Sequence, residues 1–247
     1  MHDAGRRTAA ATALAAAAAA AALALTAAPA SATAPDATTV YREAIAATHG
    51  WSVHYDSLAT VSGATILESG DAGPASGTQT VAVGKSKASL TDDATIIVIG
   101  GITYLKGNAA ALGDLAGMAP SQAAAAAGQW IDFSTDNATL SSVSAGVRST
   151  DVAKELALTG PLKLDAGRTL DGLHVDTVEG TQTIGGKHLH VVLYVRASGK
   201  HVPVEEDSVE ASGKPSGVLH VVYSKWGEVV RPVAPQAAGS LGPVSST

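Results

Sequence analysis

The sequence predicts an α+β fold, a curved antiparallel sheet laid over a few short helices. Three observations carry that expectation. Apolar and polar side chains alternate along several short stretches, and a period of two marks a strand with one covered face. Glycine-rich breaks recur between those stretches and read as hairpin turns. Helical patterning is confined to a segment near the start and a block in the middle, so helices and strands are segregated. A long sheet of this kind twists and curves around the helices it covers.

The opening residues stand apart from that pattern. "MHDAGRR" gives a positive start through Arg6 and Arg7, an uncharged alanine-rich run follows, and "PASATA" offers an Ala-x-Ala site. This is the pattern of a secretory signal peptide. Cleavage after Ala32 is preferred to cleavage after Ala34, because Pro35 would follow the second cut. The expected organisation is a signal peptide over 1–32, a single domain over 33–235 and a disordered, small-residue tail over 236–247.

In "TTVYREAIAATHG" (38–50), Val40, Ala44 and Ala47 form one apolar stripe and Gly50 is placed to stop the helix. In "WSVHYDSLATV" (51–61), Val53, Tyr55, Ala59 and Val61 alternate with His54, Asp56 and Thr60. "ESGDAGPASGT" (68–78) reads as a turn, and "TIIVIGGITYLKG" (95–107) as two strands split at Gly100-Gly101. The block 108–130 is helical in composition, with Asn108 as its N-cap and breaks at Gly113, Gly117 and Pro120. Two further short helices are expected over 137–158, capped by Asp136 or Asn137 and by Ser149 or Thr150. Strands return in "KHLHVVLYVRAS" (187–198), where Leu189, Val191, Leu193 and Val195 share a face. They continue in "GVLHVVYS" (217–224), where Leu219, Val221 and Tyr223 do. Turns fall at 184–186, 197–200 and 211–217.

Composition bounds the partners. The formal net charge is −6, and losing Arg6, Arg7 and Asp3 leaves it negative. Nucleic-acid binders carry a basic stripe, and docking on anionic lipid needs basic clusters, so neither is expected. The chain has no cysteine. It forms no disulfides even where export would permit them, and it has no cysteine to carry a lipid. A monomer is expected, secreted or extracellular or else associated with the cell envelope, not lipid-anchored and without a transmembrane segment after signal removal. It must fold on its core alone.

No nucleophile elbow, paired-histidine zinc helix or Ser-x-x-Lys pair is present. "GTQTIGGK" (180–187) approaches a phosphate loop, but the glycine spacing is one residue off and His188 stands where Ser or Thr is needed. It reads as a hairpin turn. His188, His190 and His220 share strand parity and could converge on Zn or Cu. Arg196 shares that face, so a polar solvent face is the plainer reading. Glu205, Glu206 and Asp207 in "PVEEDSVE" could divide acid and base roles, but read as a solvated strand edge. No catalytic residue, metal site or cofactor is expected, and the chain is not read as an enzyme.

What remains is apolar. The inner faces carry mostly Val, Leu, Ile and Ala, with one Phe, Phe133. A concave sheet lined in this way can leave a cavity that accepts an acyl chain. The residues expected to line it are Ile99, Leu112, Leu115, Met118, Val147, Leu156, Leu193 and Val221. Alternatively the central helices, with Leu112, Leu115, Met118, Leu140, Val143, Val147 and Leu156, plug the concavity.

Three stretches resemble a known family when taken together: "ITYLKGNAAAL" (102–112), "LYVRASGKHVPVEED" (193–207) and "VVYSKWGEVVRPVAP" (221–235). They resemble the LppX/LprAFG-type exported lipoproteins of actinobacteria, which at fold level are similar to the LolA/LolB lipoprotein carriers. The resemblance implies a half-barrel over helices, enclosing a hydrophobic cavity, and a role in binding or moving lipids or lipoproteins across the envelope. This chain departs from it in having no cysteine after the signal. Trp226 continues the alternation of Leu219, Val221 and Tyr223 and is expected to close the core, Gly227 to permit a turn, and Pro232 and Pro235 to end the pairing. The function expected is a secreted, non-enzymatic carrier of a lipid or other apolar ligand. The alternative is a protein-interaction module of the same fold with a filled core. A hydrolase comes third, and a buried, perturbed carboxylate or histidine in a cleft would favour it.

Overall fold

The computed structural model describes residues 36–134, 141–184, 187–211, 217–236 and 238–240. Helix α1 (Ala37–Gly50) opens this part of the chain. Its N-cap Asp36 accepts from the Thr39 amide at 2.8 Å, which satisfies one of the helix's free donors. Val40, Ala44 and Thr48 form its buried stripe, and Ala47, expected in it, is only partly buried. A meander follows: β1 (Val53–Val61), β2 (Ala64–Ala72), β3 (Ser76–Gly84), β4 (Leu90–Ile99) and β5 (Ile102–Gly107). Next come α2 (Ala109–Ala116), α3 (Pro120–Ala126), β6 (Trp130–Ser134), a 3-10 turn (Ser141–Ser144) and α4 (Ser149–Glu155). A second meander is built of β7 (Thr159–Leu170), β8 (Leu173–Ile184), β9 (Lys187–Arg196), β10 (Pro203–Glu210) and β11 (Gly217–Ser224). The short strand β12 (Ala238–Ser240) comes last.

These strands form one open sheet in the order β12-β6-β5-β4-β3-β2-β1-β11-β10-β9-β8-β7. Each meander pairs in sequence order. The two meet along a single antiparallel seam, β1 against β11, with Tyr55 opposite Tyr223 and Ser57 opposite Val221. Only β12 runs parallel to its neighbour, β6. The α+β half-barrel read from the sequence is the fold observed.

The helices cover one face of the sheet in two packed clusters. In the first, Leu112, Val143 and Val147 lie against Ile96, Val98 and Leu105. In the second, Val40, Val152 and Leu156 lie against Val178, Leu193 and Tyr223. Burying each aliphatic side chain of this size contributes about 1.5–3 kcal/mol. Tyr41 locks α1 to the end of α4: its hydroxyl donates to the Leu156 carbonyl at 3.1 Å and accepts from the Leu158 amide at 2.7 Å.

The glycine-rich run 68–78 is mostly strand, since β2 reaches Ala72 and β3 starts at Ser76. Its glycines serve close approach rather than a turn. A Cβ at Gly77 would stand 1.9 Å from the Val147 carbonyl oxygen, and one at Gly70 2.7 Å from the Tyr55 hydroxyl. Likewise, residues 180–184 of the expected hairpin continue β8. The stretch "PVEEDSVE" is not a sheet edge: it is β10, paired on both sides by β9 and β11.

The block expected to be helical through Trp130 ends earlier, and Trp130 opens β6. Of the two helices expected over 137–158, the first is the 3-10 turn, and its expected caps Asp136 and Asn137 lie outside the described residues. The second, α4, has Arg148 at its N-cap position and no side-chain cap. The Ser149 amide donates to the Gly73 carbonyl at 3.1 Å, so the β2–β3 turn satisfies one of the free donors of the helix start. Ala238–Ser240, within the stretch read as a disordered tail, form β12.

Trp226 is partly buried at the end of the second cluster. Its indole N–H donates to the Pro203 carbonyl at 2.8 Å, and its ring tilts against Tyr223 with centroids 6.3 Å apart. Gly227 follows at φ 81°, the left-handed region that favours glycine. Its amide donates to the Ser52 carbonyl at 2.9 Å. No helix among the described residues is long and apolar enough to cross a membrane.

Candidate functional site

A pocket of about 240 Å³ lies on the covered face beneath α4, straddling the β1–β11 seam. Strand register builds its walls. Ser57 stands opposite Glu68 on β2 and opposite Val221 on β11. Val221 in turn stands opposite Glu206 on β10. Paired residues share a face, so Glu68, Ser57, Val221 and Glu206 form one row across four strands. Tyr55 and Tyr223 form the adjoining row, beside Gly70. Leu219 and Val152 supply apolar wall, and Glu155, the last residue of α4, reaches the pocket from above. Ile184, 48% exposed, stands at the mouth.

The interior is strongly polarised. Glu206 is 2% exposed. It accepts from the Ser208 hydroxyl at 2.9 Å and from the Tyr223 hydroxyl at 3.3 Å. Burial pushes its carboxyl up to about 7, opposed by those two hydrogen bonds and assisted by Asp207. The Glu155 carboxyl is also pushed up to about 7, by burial first and then by the charges of Glu68, Glu206 and Asp151. Glu155 is an exposed residue overall, so water screens its carboxyl more than that of Glu206. Glu68 is raised by burial. Burial and neighbouring carboxylates push the Tyr55 and Tyr223 phenols up as well, which keeps both neutral. Tyr55 is 5% exposed, and its hydroxyl has no hydrogen-bond partner among the described residues. No Lys or Arg stands among the described residues lining the pocket. Chemically the site offers carboxylate, phenol and hydroxyl acceptors beside an aliphatic wall.

The eight residues read from the sequence as cavity lining fall in three places. Leu112, Leu115, Met118 and Val147 pack in or against the first cluster. Leu156, Leu193 and Val221 belong to the second, and Val221 also lines the pocket. Ile99 has the opposite parity to the buried Ala94, Ile96 and Val98 of β4 and is only partly buried. Sequence reasoning missed Tyr55, Glu68 and Glu155 as site residues and set Glu206 on a solvated edge. A polar row on a covered face leaves no mark in alternation. Only the pairing of Glu206 with Val221 and Leu193 reveals its side.

The histidines lie elsewhere and take separate partners. His188 Nδ1 is 3.1 Å from the Thr183 hydroxyl, His190 is 3.7 Å from Glu179, and His220 Nδ1 is 2.9 Å from Asp207. Glu205, Asp207 and His220 do converge, with donor atoms within 4.8 Å of one another. That set could accept a divalent cation.

No protein-family model matches the chain, and no curated protein is similar to it in sequence. Solved structures are similar to it. LprF from Mycobacterium bovis shares 17% identity over 82% of this chain and 97% of its own, with a TM-score of 0.48. An uncharacterised conserved protein from Thermus thermophilus shares 11% identity over 83% and 98%, with a TM-score of 0.42. A LolA superfamily protein from Nitrosomonas europaea shares 14% identity over 81% and 96%, with a TM-score of 0.30.

Proposed function

We propose that the protein is an exported, non-enzymatic binding protein that holds one end of a lipid or other amphiphile in the pocket beneath α4. The observation that carries this is the pocket itself, a concavity left between α4 and the sheet with Val152, Leu219, Val221 and Ile184 on its apolar side. At about 240 Å³ it is smaller than the roughly 300–1,000 Å³ of drug-sized sites. It therefore suits one end of an amphiphile rather than a whole lipid. Export rests on the signal-peptide pattern of residues 1–32.

The test is native mass spectrometry of the full protein, followed by lipid extraction. A stoichiometric adduct is expected. A bare mass, unchanged after incubation with phospholipids, glycolipids and single-chain amphiphiles, overturns the proposal.

One observation favours a second reading, a hydrolase: Glu155 and Glu206 both titrate near neutrality in a cleft. Against it, both oxygens of Glu206 already accept hydroxyl hydrogen bonds, which commits that carboxylate to the wall. Ester or glycoside turnover with a bell-shaped profile around neutral pH, abolished in Glu155→Gln, would establish the enzyme.

A further inference from the structure

The proposed binding function leaves the chemistry of the ligand's buried end open, and the pocket's own groups decide it. Glu68 and Glu206 are brought in by strand register and Glu155 by the end of α4. Among the described residues no Lys or Arg lines the pocket to compensate them. Glu206 is buried, Glu68 partly buried and Glu155 exposed, and carboxylates crowded in this way disfavour one another's charged forms unless a cation joins them. Their donor atoms are not gathered as those of Glu205, Asp207 and His220 are, which points away from a metal ion. The Tyr55 hydroxyl is independent of the three carboxylates. It is sealed from solvent, lines the same pocket and has no partner among the described residues. A buried hydroxyl without a partner is costly unless a ligand or water completes it.

We infer that the pocket receives a cationic head group, the primary ammonium of a single-chain amine, whose N–H groups can donate to the site's acceptors. Glu155 and Glu68 serve as its counter-charges and the Tyr55 hydroxyl as a neutral acceptor. Val152, Leu219 and Ile184 take the first methylenes of the chain toward the mouth. This rests on the amphiphile-binding reading above. Glu206, held by Ser208 and Tyr223, contributes charge rather than a free acceptor. The groups that face the carboxylates are Tyr55 and Ser57 from β1, Glu68 from β2, Tyr223 from β11, Ser208 from β10 and Asp151 from α4, with Asp207 acting through the sheet. An ammonium among these acids favours their charged forms, so binding near neutral pH releases protons.

The experiment is calorimetric titration of the full protein with three decyl amphiphiles below their micelle concentrations: decylammonium, decanoate and a neutral decyl oligoethylene glycol ether. The ammonium is expected to bind at least about tenfold more tightly than decanoate, since like charges repel across the site. Repeating the titration in two buffers of different ionisation enthalpy is expected to show net proton release for the ammonium alone. Glu155→Gln should weaken the ammonium severalfold and leave the neutral ether unchanged, and the ether also reports that the variant is folded. If decanoate or the ether binds as well as the ammonium, the inference falls while the binding function stands. Ammonium binding without proton release, or unaffected by Glu155→Gln, places the cation elsewhere and also overturns the inference. If none of the three binds, this inference fails, and the mass-spectrometric test decides the function separately.

Discussion

Replacing Glu206 by Gln should change the pH dependence of stability more than stability itself. The Glu206 carboxyl rises from 4.5 to about 7 in the folded protein. The native state therefore holds its proton more tightly than the unfolded chain does. The stability this confers is fully present below about pH 4.5 and is lost as pH rises through about 7. At about 1.36 kcal/mol per unit, the loss approaches an upper bound of ~3 kcal/mol by pH 8.5. Gln is neutral throughout and fits the same space. The Ser208 and Tyr223 hydroxyls can turn to meet its amide. Removing the Glu206 charge also relieves Glu155, which that charge helps to raise.

Urea unfolding, followed by tryptophan fluorescence and by circular dichroism, measures the difference directly. At about pH 8.5 the variant should be more stable than the parent by on the order of 2 kcal/mol. At about pH 4.5 it should be equal or slightly less stable. A constant offset across that range would refute the reasoning, because it would mean that Glu206 titrates alike in the folded and unfolded states.

Other substitutions test the packing. Gly77→Ala should destabilise by more than about 3 kcal/mol in thermal or urea unfolding, because its Cβ would meet the Val147 carbonyl oxygen at 1.9 Å. Gly50→Ala, with nothing within 4 Å of its Cβ, should change stability by less than about 1 kcal/mol in the same assay. Trp226→Phe removes the donor to the Pro203 carbonyl and should cost about 1 kcal/mol of unfolding free energy. Leu115→Asp sets a charge against the first cluster and should lower the thermal midpoint by several degrees. A variant that melts like the parent but no longer binds apolar dye would instead place Leu115 in a ligand cavity.

Much of the sheet was legible because its strands have one apolar face. In β9, Val191, Leu193 and Val195 are buried and their neighbours are not, and β11 repeats the pattern with Val221 and Tyr223. Strand β7 was not legible. It is an exposed edge with two register shifts, and a bulge breaks the period of two that reveals a strand. The short β6 was hidden behind an alanine-rich helix. Tertiary contact overrode local signals at two more points. The β2–β3 turn satisfied the start of α4, and Gly70 and Gly77 were kept for backbone approach rather than for a bend. The acidic row was the least readable feature. Glu68 and Glu206 lie far apart in the chain, on strands whose polar residues occur on both faces. Only register across β2, β1, β11 and β10 places them over one pocket.

The seam has a kinetic consequence. Within each meander a strand finds its partner next to it along the chain, so those pairings close short loops. The β1–β11 pairing joins the two ends of the domain, and its loop-closure entropy must be overcome before its contacts repay it. Zipping the seam is therefore expected to be the slow, late event of folding and the natural line of opening. Tyr55 and Glu68 come from one side of that line, Glu206 and Leu219 from the other. Any occupant binds only the zipped form and draws the equilibrium toward it by mass action. The pocket's contents would clasp two half-sheets together, and amide exchange along β1 and β11 would time how often the clasp lets go.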